Sequence, residues 1–77
     1  MDQGQERFYE FILNRVEEEK KDRAIQLLED SFQQQANGTF DKEYIDAFAP
    51  KLMELVKTEN VEEVKNVMEG YRHTNIV

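Results

Sequence analysis

The chain has no cysteine and no tryptophan, and only one proline and three glycines in 77 residues. Without cysteine there are no disulfides, no thiolate metal sites and no thiol nucleophile, and the composition fits a reducing compartment. Long apolar runs are absent too. No run exceeds three residues, as in Phe11-Ile12-Leu13, whereas a membrane-spanning helix needs about 20. The start, Met1-Asp2-Gln3-Gly4-Gln5-Glu6, has neither the basic region nor the apolar stretch of an export signal. A cytoplasmic location is therefore expected. Alternation with a period of two is missing, so strand signals are weak. No glycine-rich phosphate loop and no nucleophile elbow is present.

Positive charge is scarce. Ten Lys and Arg stand against seventeen Asp and Glu, a net charge of −7. The imbalance is spread evenly, with nine acids and five bases in residues 1–38 and eight and five in residues 39–77. Lys20, Lys21 and Arg23 sit among Glu17, Glu18, Glu19 and Asp22, so no basic patch forms. Such a surface repels phosphates, and neither nucleic acid nor an anionic membrane is expected as a partner.

What is abundant is Glu, Gln, Lys and Leu at helical spacing, and an all-α fold follows. Four helices are predicted. The first runs from about Gln5 to Glu18, with Phe8, Tyr9, Phe11, Ile12, Leu13 and Val16 as its apolar face. The second carries Ala24, Ile25, Leu27, Leu28, Phe32 and Ala36 and stops at Asn37-Gly38, a left-handed C-cap signal. Between them lie seven residues without an apolar member, 17–23. At about 100° per residue the two stripes point roughly 140° apart, so one straight helix cannot bury both. A turn near Glu19–Asp22, with Asp22 as N-cap, resolves the conflict and makes a helical hairpin. One long helix is the alternative, since no Gly or Pro marks the turn and Glu17–Lys21 and Glu19–Arg23 are favourable pairs.

The third helix is expected to start near Thr39 or Asp41 and to run, kinked at Pro50, to about Lys57. Its stripe is Phe40, Tyr44, Phe48, Leu52 and Leu55. The apolar phase passes through Pro50 without slipping, and Pro50 falls on the opposite, solvent-facing side. The fourth helix starts after Asn60, where Glu63 completes capping-box spacing. It buries Val61, Val64, Val67, Met68 and Tyr71, with Gly70 as a candidate end. No internal repeat is evident. One domain is expected over 1–77, with residues 1–4 and 73–77 frayed.

Chemistry is sparse. The single histidine, His73, lies one turn after Glu69, but two ligands do not close a metal site, and no Glu-x-x-His motif of the di-iron type occurs. Asp41-Lys42-Glu43 lacks the alternating oxygen ligands and central Gly of a calcium loop. The carboxylates fall on polar faces rather than in desolvated pockets that would tune them for acid–base work. No catalytic residue, cofactor or metal is therefore assigned, and an enzyme is not expected.

Stripe width is more informative. The first two helices spread their apolar residues over roughly 200° and 180°, against the 100° or so that one core demands. Surplus apolar surface usually marks an interface. The candidate interface residues are Tyr9 and Leu13 on one edge of the first helix and Ile25 and Ala36 on one edge of the second. The expected partner is a protein, with a second copy of the chain as first candidate. In size, acidity and helix count alone, the chain is broadly similar to the bacterial immunity proteins that neutralise nuclease toxins. That resemblance implies the alternative of an acidic inhibitor for a basic protein. It shares no motif, so no residue is carried over.

Overall fold

A computed structural model describes residues 3–74, with side chains described through Gly70. Four α-helices follow one another: α1 (Gln3–Leu13), α2 (Lys21–Ala36), α3 (Lys42–Met53) and α4 (Val61–Thr74). Short 3₁₀ turns, Glu18–Lys20 and Thr58–Asn60, precede α2 and α4. The expected all-α bundle of four helices is present. Among the described residues no strand forms, only an isolated antiparallel bridge between Val16 and Val56. None of the described helices is long and apolar enough to cross a membrane.

The helices pair within each half of the chain, α1 against α2 and α3 against α4, and α2 packs on α3. The α1–α2 pair is antiparallel, with Gln5 Nε2 near the start of α1 donating to Gln35 Oε1 near the end of α2 at 3.0 Å. The core comprises Ile12, Val16, Ala24, Leu28, Ile45, Phe48, Leu52, Leu55, Val56, Val64 and Met68. Both halves contribute to it, so neither closes over its own apolar face. The radius of gyration, 11.6 Å, matches the roughly 11.5 Å expected for one globular unit of this length.

The hairpin between the first two helices exists, but its break lies earlier than the charge run suggests. α1 ends at Leu13, not Glu18. Asp22 is not the N-cap of α2 but sits in its first turn; Lys20 holds the cap position and makes no side-chain cap bond. The cause is Val16. Instead of extending the α1 stripe it leaves the helix and is buried opposite Val56. Glu17 then adopts an extended conformation, φ −66° and ψ 142°, and its N–H donates to the Leu55 carbonyl at 3.0 Å.

The third helix shows the same displacement. It starts as expected after Asp41, whose carboxylate accepts from the Tyr44 N–H at 2.8 Å. It continues through the exposed Pro50 but ends at Met53, not Lys57. Val56 is required at the bridge, and Lys57, at φ −58° and ψ 140°, donates its N–H to the Arg15 carbonyl at 2.9 Å. α4 does not end at Gly70 but runs through it to Thr74. Of the termini expected to fray, Gln3 and Gly4 belong to α1 and residues 73 and 74 to α4; residues 1–2 and 75–77 lie outside the described residues.

An internal repeat is present after all. Its halves are offset by forty residues, the separation of Val16 from Val56. The 3₁₀ turns coincide at this offset, as do the starts of α2 and α4 and the ends of α1 and α3. The hydrogen bonds repeat as well. Arg15 N–H to Ile12 is matched by Leu55 N–H to Leu52, Lys20 N–H to Glu17 by Asn60 N–H to Lys57, and the Glu17–Leu55 bond by the Lys57–Arg15 bond. Buried Ile12, Val16, Ala24 and Leu28 correspond to buried Leu52, Val56, Val64 and Met68. The two helix–turn–helix units thus meet about an approximate two-fold axis through the Val16–Val56 bridge. Few identities survive, notably Phe8 with Phe48 and Val16 with Val56. The repeat is one of apolar position rather than of residue, which is why comparing residues does not reveal it.

Candidate interaction surfaces

α2 and α1 carry the four residues expected at an interface, and the structure divides them. Tyr9 and Leu13, one turn apart on α1, are half-buried and pack against the core. They form its margin as much as an outer surface. Ile25 is half-buried without joining the core, and Ala36 is exposed. Eleven residues of α-helix bring Ile25 and Ala36 back to within about 20° of the same face, roughly 16 Å apart. Half-buried Phe32 falls between them on that face. This face of α2 is therefore an apolar line, Ile25–Phe32–Ala36, interrupted by exposed Glu29; Phe32 packs against the core, and Ile25 and Ala36 lie outside it.

The aromatic ridge at the start of α3 is largely core. The rings of Phe40 and Tyr44 lie 5.5 Å apart, tilted by 49°, and those of Tyr44 and Phe48 lie 5.9 Å apart, nearly parallel. Phe48 is buried, while Phe40 and Tyr44 are half-buried against the core. Burial raises the pKa of the Tyr44 phenol above its usual value, and the Asp30 carboxylate adds to the effect.

The paired turns form a second surface of different chemistry. Glu17, Glu18, Glu19, Lys57, Thr58 and Glu59 line an open depression. The glutamates of the first turn are distant from those of the second in sequence, and the repeat brings them to one pole. Local pairing tempers the charge: Lys20 Nζ lies 2.9 Å from Glu17 Oε2, and Lys21 Nζ lies 3.1 Å from Glu18 Oε2. The hydrogen bond to Glu17, and then its charge, raise the pKa of Lys20. Among the described residues no group of three or more His, Asp or Glu side chains is placed to hold a metal ion. The side chain of His73 lies outside the described residues, so its pairing with Glu69 is not described.

Arg15 joins the two halves, a role its sequence context does not mark. Its position in the repeat is that of buried Leu55, yet it is charged. Its guanidinium lies over the Phe11 ring, 3.9 Å from the centroid. Nη1 donates to the Phe11 carbonyl at 3.0 Å, and Nε donates to Glu63 Oε1 of α4 at 2.6 Å. Arg15 thus covers the half-buried Phe11 ring of the first half and ties that half to the second. No local signal marks it, because its role depends on Glu63 of another helix.

Comparison with protein-family models, with curated proteins and with solved structures returns no match.

Proposed function

We propose that this protein is a small non-enzymatic interaction or regulatory module that acts by presenting apolar helical surface, with a second copy of itself as its first partner. The observation that supports the reading is the outer edge of α2. Ile25 and Ala36 are apolar, lie on one helical face and do not join the core. An apolar edge outside the core is the usual mark of a contact surface. The site is read as cytoplasmic, without cofactor, metal, nucleic acid or membrane.

Sedimentation equilibrium over a wide concentration range, at low and high salt, tests this. A dimer held by apolar edges on a protein of net charge −7 tightens with salt, because screening relieves repulsion between like-charged copies. Ile25→Glu or Ala36→Glu then returns it to a monomer. These positions are cleaner probes than Tyr9 and Leu13, where a charge would also damage the core margin. A monomer under every condition sinks the self-association reading.

The acidic pole favours a second reading, an inhibitor that engages a basic protein. Glu17, Glu18, Glu19 and Glu59 surround one depression, and such a surface steers basic partners electrostatically. Association of that kind slows steeply as salt rises, the opposite trend to apolar self-association. A rate of association with a basic protein that salt leaves unchanged counts against it.

A further inference from the structure

The two halves are joined covalently only by residues 37–41. Among the described residues the halves are otherwise held by packing, the Val16–Val56 bridge, the Glu17–Leu55 and Lys57–Arg15 hydrogen bonds, the Lys20 ammonium donating to the Glu54 carbonyl and the Arg15–Glu63 pair. The connection is closed by purely local devices. The Gly38 N–H donates to the Gln35 carbonyl and the Thr39 N–H to the Gln34 carbonyl. Gly38 holds a left-handed φ of 74°, and Asp41 caps α3. If residues 37–41 became helical, each of these bonds would be replaced by an ordinary helical one. α2 and α3 would then run on as one helix, and every contact between the halves could be remade with another chain.

We propose that residues 37–41 are a hinge over which the protein exchanges halves with a second copy, residues 3–36 of one chain pairing with 42–74 of the other. Two observations converge on this. The bridge and the reciprocal hydrogen bonds all join one half to the other, so they are the same whichever chain supplies the second half. The hinge is five residues long, and short hinge loops favour exchange. The exchange uses the internal seam and does not rest on self-association through the outer edge of α2.

The test uses the full chain with Val16→Cys and Val56→Cys. The sequence has no other cysteine. Flanking bonds place these residues as a non-hydrogen-bonded antiparallel pair, with Cα atoms about 4.5 Å apart, within disulfide range. The protein is refolded at micromolar and at millimolar concentration, oxidised, and sized without reductant. Exchange gives disulfides within one chain at low concentration and covalent dimers at high concentration. Adding Gly38→Ala tips the balance further. A Cβ at Gly38 meets nothing within 4 Å, so the change acts only through the left-handed backbone it disfavours. The dimerisation constant then rises by about a hundredfold, roughly tenfold for each of the two hinges. A dimer whose disulfides all remain within single chains overturns the proposal in favour of surface association. Monomers alone, with Gly38→Ala at millimolar concentration, overturn it as well. If the cysteine pair impairs folding, Arg15→Cys with Glu63→Cys, joined by a short bismaleimide, gives the same readout from solvent-accessible positions.

Discussion

Arg15 combines three modest interactions at one junction, and their sizes decide what its loss does. The ion pair with Glu63 is open to water, with side chains 27% and 52% exposed, so solvent screens most of its Coulomb energy. Pairs of this kind contribute about 0.2–1 kcal/mol. Stacking on Phe11 adds about 0.5–1 kcal/mol. Arg15→Ala should therefore cost about 1–2 kcal/mol and Glu63→Ala less. A double-mutant cycle in urea should give a coupling below about 1 kcal/mol. A coupling of several kcal/mol would show that the pair is shielded far more than its exposure indicates. Tyr44 supplies the pH-dependent counterpart. Burial holds its phenol neutral and Asp30 opposes the phenolate, so the pKa is raised in the folded protein. This contribution to stability is complete below the unfolded value of about 10 and is lost as pH climbs through the folded value. Asp30→Asn should lower the Tyr44 pKa only part of the way, since burial is the larger cause, and should lessen the alkaline loss. Spectrophotometric titration of the tyrosines checks it; an unchanged Tyr44 midpoint removes Asp30 from the account.

At the scale of elements, the starts and stops with a local chemical cause were legible and those with a tertiary cause were not. Asn37-Gly38 ends α2 because glycine accepts the positive φ that lets the Gly38 and Thr39 amides satisfy the carbonyls of the last turn. Asp41 opens α3 because its carboxylate reaches the Tyr44 amide. Asp41→Ala should cost about 1 kcal/mol and Asp41→Asn much less, as read from thermal melts. Equal losses for the two would mean that charge at the helix N-terminus, not the cap bond, carries the effect. The ends of α1 and α3 have no such local mark. Glu17, Glu18 and Glu19 are good helix formers, and the residues after Met53 keep the apolar phase. Only the partner turn, forty residues away, explains why both helices stop early. Of the candidate surface, the position of Ile25 and Ala36 outside the core was readable from stripe width. Arg15 was not, because its role depends on Glu63 of another helix.

At the scale of the molecule, the repeat makes the backbone at Val16 and Val56 the seam on which the two halves meet. A turn joining two helices normally exchanges its amide protons readily, because its backbone faces water. Here the Glu17 and Lys57 amides are bound across the approximate two-fold axis, to Leu55 and Arg15, beside Val16 and Val56, which are 1% and 5% exposed. Bringing water to either bond requires the halves to part at the buried valines, so these bonds should open only with global unfolding. Native-state hydrogen exchange should therefore place the Glu17 and Lys57 amides with the slowest amides of α2. The exposed connection at Asn37 and Gly38 should exchange much faster. Val16→Ala, which removes about two methylene equivalents of buried surface at about 0.8 kcal/mol each before any cavity term, should lower the protection of both amides and of both helical pairs together. Fast exchange at Glu17 and Lys57 with intact protection in α2 would mean that the halves separate without unfolding. The seam would then open far more easily than its buried valines and reciprocal bonds imply.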